Sequence, residues 1–185
     1  MPSRTVAVIV GSLRRESFSR RLALALAALA PAELTLKIVE IRDLPLYDED
    51  VEANAPAAWL AFREQVRSAD AVLFVTPEYN RSVPSALKNA IDVGSRPYGK
   101  SAWSGKPAAI VSNSPGAIGG FGANHHLRQS LVFLDMPTLQ QPEVYLGNIK
   151  ALLGDGEGIA NEGTRTFLTG FLETFARWIE HTHRG

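Results

Sequence analysis

The stretch AVLFVTPEYNRSVPSALKNAID, residues 71–92, decides the fold because it joins a buried strand to a helix through a polar loop. Its first five residues are all apolar, which is typical of a strand that is covered on both faces of a parallel sheet. Pro84 then opens a helix. Between them, residues 76–83 crowd polar and aromatic side chains at the carboxyl end of the strand, which indicates a binding loop rather than a plain connector.

The same alternation of strand and helix runs along the whole chain. Strands are predicted at residues 6–10, 34–41, 71–75 and 108–112, with a weaker fifth strand at 138–145. Helices are predicted at residues 17–30 and 56–69, from residue 84, near 125–134 and at 164–181. Strict alternation predicts an α/β fold, a doubly wound parallel sheet with helices on both faces. No linker or repeat divides residues 1–185, so a single domain is expected.

Composition narrows the class of protein. A chain of 185 residues that is 45% hydrophobic and 21% charged is typical of one globular domain with a sizeable core. Lys plus Arg equals Asp plus Glu at 19 each, so the chain as a whole has no field of one sign to attract nucleic acid or an anionic membrane. The absence of cysteine excludes disulfides, thiolate nucleophiles and iron–sulfur clusters, and favours a reducing compartment.

The segment RRESFSRRLALALAALAPA, residues 14–32, superficially resembles a secretory or twin-arginine signal. Cleavage near its end would remove the good strand that precedes it, and its nine apolar residues are too few to span a bilayer. A buried amphipathic helix with Leu22, Leu26 and Leu29 on one face is the better interpretation. We therefore expect a cytoplasmic protein with no membrane or nucleic-acid partner.

Three unusual loops follow the first, third and fourth predicted strands, at residues 11–19, 76–83 and 112–122. Because the carboxyl ends of parallel strands meet at one edge of the sheet, these loops are predicted to lie together. Ligands of doubly wound proteins bind at this edge, where the strand order reverses. One site built from three loops is therefore expected.

The first loop has the composition of a phosphate site. An anion is favoured there by three kinds of donor. These are the hydroxyl groups of Ser12, Ser17 and Ser19, the guanidinium groups of Arg14 and Arg15, and the free N–H groups of the following helix. The alternative is that Ser17 only caps the helix while both arginines are solvated.

The second loop offers donors, acceptors and an aromatic ring at residues 78–80, which suits a planar heteroaromatic ligand. Alternatively, Asn80 and Ser82 only stabilise a turn, and Tyr79 packs on the surface. The third loop has four glycines within residues 116–122, which allow the backbone to approach a ligand closely. Simple flexibility is the competing explanation for these glycines.

Rival sites are not supported. A G-x-x-x-x-G-K-S match at residues 94–101 follows a helix and contains Pro97, so it is an accidental match. No G-x-G-x-x-G motif follows the first strand, so a Rossmann fingerprint is absent. His125 and His126 are adjacent and diverge on a helix, and the other two histidines lie in a polar tail, so no metal site is predicted.

Four segments together resemble one family. GSLRRESFSRRLA (11–23), LPLYDED (44–50), VTPEYNRSVPSALKNAID (75–92) and SPGAIGG (114–120) are similar to the NAD(P)H-dependent FMN reductases, in their bacterial quinone and chromate reductase branch. The resemblance implies a flavodoxin-like fold with strand order 2-1-3-4-5, bound FMN, and NADPH or NADH as substrate. It also implies a homodimer or homotetramer.

The resemblance also places the cofactor. It puts the FMN phosphate among Ser12, Arg14, Ser17, Phe18 and Ser19. It puts the flavin ring edge against Pro77, Glu78, Tyr79, Asn80 and Arg81, with Ser114 and Gly116 as further contacts.

Arg81 and Val93 depart from the family pattern. The resemblance implies that Arg81, Arg96 and Glu143 lie near a subunit contact beside the flavin, where two cations would share one carboxylate. The alternative is that Arg81 points into solvent and pairs with nothing.

The implied reaction passes hydride from nicotinamide to flavin, and then electrons to quinones, flavins or oxyanions such as chromate. Because flavin chemistry needs no protein nucleophile, no catalytic side chain is predicted. A flavodoxin-type electron carrier is the alternative, although such carriers tend to be acidic and this chain is neutral. A phosphoacceptor domain is excluded because it needs an aspartate where Thr76 and Pro77 stand. The choice of nucleotide and of acceptor stays open.

Overall fold

Five parallel strands form the central sheet of the computed structural model, which describes residues 3–156 and 158–183. The strands are β1 (Arg4–Val10), β2 (Leu34–Val39), β3 (Ala71–Pro77), β4 (Ala108–Asn113) and β5 (Val144–Leu146). Their order in the sheet is β2-β1-β3-β4-β5, and every neighbouring pair is parallel. The predicted flavodoxin-like strand order is confirmed, and it places the strand reversal between β1 and β3.

Helices cover both faces of the sheet, as predicted. They are α1 (Phe18–Leu29), α2 (Ala57–Arg67), α3 (Ser85–Gly94), α4 (Phe121–Phe133), α5 (Ile149–Leu153) and α6 (Glu162–His183). Successive residues of β1 point to opposite faces, so that Val6 and Val8 pack with α1, α5 and α6, whereas Ala7 and Ile9 pack with α2, α3 and α4. The all-apolar strands follow from this burial on both sides.

Several elements differ from the prediction. The fifth strand covers only Val144–Leu146, because Pro142 has no N–H to donate and Thr138 forms only an isolated bridge with Ala108. Helix α4 begins at Phe121, four residues before the predicted start, directly after Gly120 in the left-handed conformation. A 3-10 helix at Glu49–Asn54 and helix α5 were not predicted, because such short segments show no clear periodicity.

Ionic contacts tie the amino end of β1 to α6 and to the residue before β3, at the edge opposite the three loops. Arg4, the first residue of β1, donates from Nε to Glu180 Oε1 at 2.7 Å, and this carboxylate belongs to the last turn of α6. The same guanidinium reaches Asp70 Oδ1, just before β3, at 3.3 Å. The first strand and the final helix therefore meet at this edge.

The described residues contain neither a membrane-spanning helix nor a metal-binding cluster. No helix in residues 3–156 and 158–183 combines the length and the apolar character needed to cross a membrane. In the same residues, no three His, Cys, Asp or Glu side chains come together in a group that could bind a metal ion.

Candidate functional site

The three loops meet in one cleft at the carboxyl ends of β1, β3 and β4. We call it the three-loop cleft, and its volume is about 170 Å³. Nine of the twelve predicted site residues line it: Ser12, Arg14, Ser17, Phe18, Ser19, Pro77, Glu78, Tyr79 and Ser114. Asn113 and Pro115 complete the lining. The structure therefore brings together most of the residues that the sequence placed in one site.

The first loop presents unpaired donors to this cleft. Among the described residues, no protein acceptor is found for the backbone N–H groups of residues 12–19. Arg14 is exposed and its guanidinium has no hydrogen-bond partner in the same part of the chain. These free N–H groups precede a helix of twelve residues, and the Arg14 guanidinium lies beside them. Such an arrangement is suited to binding a phosphate group.

Ser17 caps α1, as the alternative to a phosphate contact predicted. Its Oγ accepts a hydrogen bond from the Arg20 N–H at 3.1 Å, and the side chain is buried. The cap fixes the direction in which the first turn of α1 presents its N–H groups. Contact of the Ser17 hydroxyl with a phosphate stays a prediction.

Asn113, the last residue of β4, connects the three elements that form the cleft. Its Nδ2 donates to Ser19 Oγ at 3.0 Å and to the Thr76 carbonyl at 3.3 Å, and all three residues are buried. Sequence reasoning missed Asn113. The available signal was a polar amide at the end of an otherwise apolar strand, where an unpaired amide would be costly.

The second loop is a tight hairpin turn. Tyr79 and Ser82 exchange two backbone hydrogen bonds of 3.0 Å, and the residues between them, Asn80 and Arg81, have φ angles of 52° and 64°. Two successive positive φ angles are typical of a type I′ turn. Asparagine tolerates this conformation, whereas arginine adopts it only with strain. The turn considered as the alternative for this loop is thus present, and Tyr79 still lines the cleft.

Glu78 connects this turn to α4. Its Oε2 accepts a hydrogen bond from the backbone N–H of Ala123 at 3.1 Å, in the first turn of the helix, where a carboxylate is favoured by the helix dipole. Its Oε1 lies 3.6 Å from Arg81 Nη1, so the interpretation that Arg81 pairs with nothing is wrong. The helix approaches so closely that a Cβ on Gly122 would lie 2.7 Å from the Arg81 carbonyl oxygen.

The third loop folds back on itself and on β5. Ser114 Oγ donates to the Gly116 carbonyl at 2.9 Å and accepts from the Gly119 N–H at 3.2 Å. Gly119 has a φ of 68°, and a Cβ there would lie 2.6 Å from the Tyr145 carbonyl carbon. The glycines therefore permit close packing, which goes beyond the simple flexibility considered as their alternative role. Gly116 lies outside the cleft lining, and its carbonyl is already bonded.

Asn80 and Arg81 also lie outside the cleft lining. Asn80 instead lines an adjoining cavity between the start of α3 and α4. Arg81 is 75% exposed. The structure of one chain therefore places these two residues at the border of the site rather than inside it.

Arg96 and Glu143 were expected beside Arg81 at a subunit contact. Within one chain, each of the two residues contacts a different set of neighbours. Arg96 Nη1 lies 4.0 Å from Glu49 Oε1, and the guanidinium lies over the Tyr47 ring at 5.9 Å. Glu143 lies beside Tyr145, and burial together with this carboxylate raises the pKa of the Tyr145 hydroxyl to about 12. Within the described chain, Arg81 and Arg96 thus have different carboxylate partners.

An aromatic cluster near the start of α4 was not anticipated. Phe121 and His125 have ring centroids 4.2 Å apart, and His125 Nε2 lies 3.0 Å from the Tyr145 hydroxyl oxygen. Phe121 and His125 lie one turn apart on α4, whose first four residues were not predicted as helix, and Tyr145 lies in β5, 20 positions after His125. No pattern in the sequence could have indicated it.

Comparison with known proteins gives concordant matches. The model of the NADPH-dependent FMN reductase family matches residues 4–151. A quinone reductase of Pseudomonas putida is 67% identical over 177 residues, 95% of each chain. A 2-hydroxy-1,4-benzoquinone reductase of a Burkholderia species is 46% identical over 174 residues, 94% of this chain and 95% of the relative.

A solved structure agrees with these relatives. FerB, a flavoenzyme NAD(P)H:(acceptor) oxidoreductase from Paracoccus denitrificans, superposes with a TM-score of 0.90 at 42% identity and covers 97% of this chain and 98% of its own. The predicted enzyme class, an oxidoreductase, is confirmed, as is the dependence on FMN and a nicotinamide nucleotide. Both the donor-rich first loop and the matches over almost the whole chain lead to one conclusion: this chain belongs to the NADPH-dependent FMN reductase family.

Proposed function

We propose that this chain is an NAD(P)H-dependent quinone reductase that works through FMN bound in the three-loop cleft. The observation that carries the proposal is the cleft itself, which is lined on one side by first-loop residues whose N–H groups are unpaired and on the other by residues 77–79, at the ends of three strands. The relatives named as quinone reductases, at 44% identity and above, support quinones as the acceptors.

Each loop has a separate task in this proposal. Residues 12–19, with Arg14, would bind the phosphate, and residues 77–79, with Ser114, would lie along the ring. Bound FMN would supply reversible two-electron chemistry, taking hydride from a nicotinamide and returning electrons to an acceptor. The protein contributes binding and orientation: Asn113 fixes the ends of β3 and β4 relative to α1, and Glu78 fixes the second loop relative to α4.

Free flavins and oxyanions such as chromate are further acceptors that we propose for the same site. They need no additional protein group, because the acceptor takes the place of the nicotinamide at an open cleft. A flavodoxin-type carrier, which receives its electrons from another protein, is the competing function.

Anaerobic reduction tests the proposal. The FMN-loaded protein is mixed with NADPH or NADH, and the flavin absorbance is followed; a benzoquinone, FMN or chromate is then added. We expect loss of the oxidised flavin absorbance with a nicotinamide nucleotide and its recovery with the quinone. Bleaching by dithionite but by neither nucleotide would establish a carrier. Reduction by a nucleotide without recovery on addition of quinone would exclude quinones as acceptors.

We also propose that the enzyme is a homodimer or homotetramer. A groove of about 780 Å³ between α3 and α4 is bordered by Tyr98 and Phe133, which are 91% and 89% exposed. Exposed aromatic side chains beside a groove are typical of association surfaces. Light scattering gives the mass directly, and Phe133→Glu should shift it toward the monomer. A cytoplasmic location, favoured by the cysteine-free composition, is tested by cell fractionation.

A further inference from the structure

A second cavity lies beside the first loop, between the ends of β1 and β2. Its volume is about 280 Å³, and four arginines contribute to its lining: Arg14, Arg15, Arg20 and Arg42. We call it the arginine notch. Ser12 and Arg14 line both the notch and the three-loop cleft, so the two cavities are contiguous.

Positive charge in the notch is largely uncompensated. Among the described residues, Glu40 is the single acidic one in the lining, and it is already paired with Arg20 at 2.7 Å. Arg42 donates to the Leu13 carbonyl, which is uncharged. In residues 3–156 and 158–183, Arg14 and Arg15 have no hydrogen-bond or ion-pair partner. Within the described part of a chain that has no net charge, three guanidinium groups without an ion-pair partner thus surround one cavity, where they repel each other until an anion binds.

The flavin phosphate alone does not account for this charge. FMN has one phosphate group, and the free N–H groups of residues 12–19 together with Arg14 already provide for it. Arg15 and Arg42 line the notch but not the three-loop cleft. They are therefore placed for a second anion, bound beside the first.

We propose that the arginine notch binds the 2′-phosphate of NADPH and makes NADPH a better electron donor than NADH. The inference rests on the proposed oxidation of a nicotinamide nucleotide at the three-loop cleft. The notch opens from the rim of that cleft at Ser12 and Arg14, so a dinucleotide whose nicotinamide lies on the flavin can extend its adenosine half into the notch. A phosphate monoester is a dianion with three acceptor oxygens, which guanidinium groups bind in bidentate geometry. NADH has no such group.

Nucleotide preference in three Arg→Gln variants of the FMN-loaded enzyme tests the proposal. Arg15→Gln and Arg42→Gln each remove one notch cation, and Arg177→Gln removes an exposed cation on α6 as the matched control. We expect kcat/KM for NADPH to fall about tenfold in each notch variant, the loss of one charge-assisted contact. In the same variants, kcat/KM for NADH should change less than twofold. The Arg177→Gln control should match the wild type with both nucleotides. The NADPH effect should weaken as salt is raised.

Inhibitors identify the source of the anion. Adenosine 2′,5′-bisphosphate should inhibit the wild type more strongly than AMP or inorganic phosphate, and this advantage should disappear in Arg15→Gln. Because Arg42 also bonds to the Leu13 carbonyl, Arg42→Lys, which retains the charge, separates charge from loop structure.

Several outcomes would overturn the proposal. Equal losses with NADPH and NADH would show that the notch does not recognise the 2′-phosphate. Loss of FMN from Arg15→Gln would assign the notch to the flavin phosphate. If inorganic phosphate inhibited as strongly as the bisphosphate, the arginine notch would be a general anion site. If neither nucleotide reduces the wild-type flavin, the proposed function fails as well, whereas an unchanged NADPH preference in the variants overturns only this inference.

Discussion

Asn113 and Ser19 are 94 positions apart in the chain, yet Asn113 Nδ2 donates to Ser19 Oγ at 3.0 Å. The same amide reaches the Thr76 carbonyl at 3.3 Å. One buried side chain at the end of β4 thereby aligns the end of β3 with the first turn of α1. The relative position of the loops that form the three-loop cleft depends on this amide.

Asn113→Ala should therefore weaken both folding and flavin binding. It leaves the Ser19 hydroxyl and the Thr76 carbonyl without their partner, which costs about 1–3 kcal/mol of unfolding free energy. Urea unfolding of the flavin-free protein and a fluorescence titration with FMN measure the two effects. Ser112→Ala is the matched control, because Ser112 is equally buried but bonds to Val144 and Asn124. The role given to Asn113 would be wrong if both variants bound FMN equally well.

Arg14→Ala should weaken FMN binding far more than Arg15→Ala. Arg14 lines the three-loop cleft and Arg15 does not. Loss of a charge-assisted phosphate contact costs about 1.5–3 kcal/mol, or roughly a ten- to hundredfold increase in Kd. Equilibrium dialysis of FMN against the flavin-free variants gives both constants, and equal constants would contradict the placement of the phosphate.

Gly122→Ala should disturb the second loop. The new Cβ would lie 2.7 Å from the Arg81 carbonyl oxygen and 2.9 Å from Glu78 Oε2, so α4 or the turn must move. We expect a loss of about 1–3 kcal/mol in unfolding free energy, typical of overpacking, together with weaker FMN binding. Gly170→Ala in α6 is the control, since its Cβ meets no atom within 4 Å and should stabilise the helix by about 0.5–1 kcal/mol. A Gly122 variant as stable as the Gly170 variant would show that the close approach is relieved without cost.

Arg81→Tyr should leave FMN bound while lowering kcat/KM for chromate or ferricyanide more than for a neutral quinone. The side chain is 75% exposed and partly neutralised by Glu78 at 3.6 Å, so an effect of about two- to fivefold is expected, and salt should reduce it. Arg81→Gly removes the same charge and suits the φ of 64°, so it separates charge from backbone strain. Steady-state kinetics at two ionic strengths measure the effect. Equal losses for charged and neutral acceptors, independent of salt, would show that Arg81 has no electrostatic role.

Tyr145 should ionise later than an ordinary tyrosine. Burial, and then the neighbouring Glu143 carboxylate, raise the pKa of its hydroxyl from 10 to about 12. The folded state therefore binds this proton more tightly than the unfolded state, and the resulting stability is fully present below pH 10 and is lost as the pH rises to about 12. The difference between the tyrosinate absorbance titrations of the wild type and Tyr145→Phe isolates this group. Glu143→Gln should move the pKa back toward 10, and an unchanged titration in that variant would exclude the carboxylate as a cause.

Periodicity and strand-end chemistry predicted the sheet, its strand order and most of the cleft lining, because these depend on local patterns and on a topology that allows few alternatives. Contacts between distant segments were beyond such reasoning. The start of α4 depends on the conformation of Gly120 and on the Glu78 carboxylate, which is remote in sequence. The pairing of His125 with Tyr145 follows from that start. Asn113 was overlooked because its partners, Ser19 and Thr76, belong to other elements.

The ion pair between Arg4 and Glu180 has a practical consequence. It brings the beginning of β1 and the end of α6 to the edge of the sheet that faces away from the three-loop cleft. A fluorescent protein or a surface anchor attached at either position would therefore project from the back of the molecule. If the enzyme were immobilised on an electrode in this way, its cleft would remain open to the solution and to the diffusing acceptor.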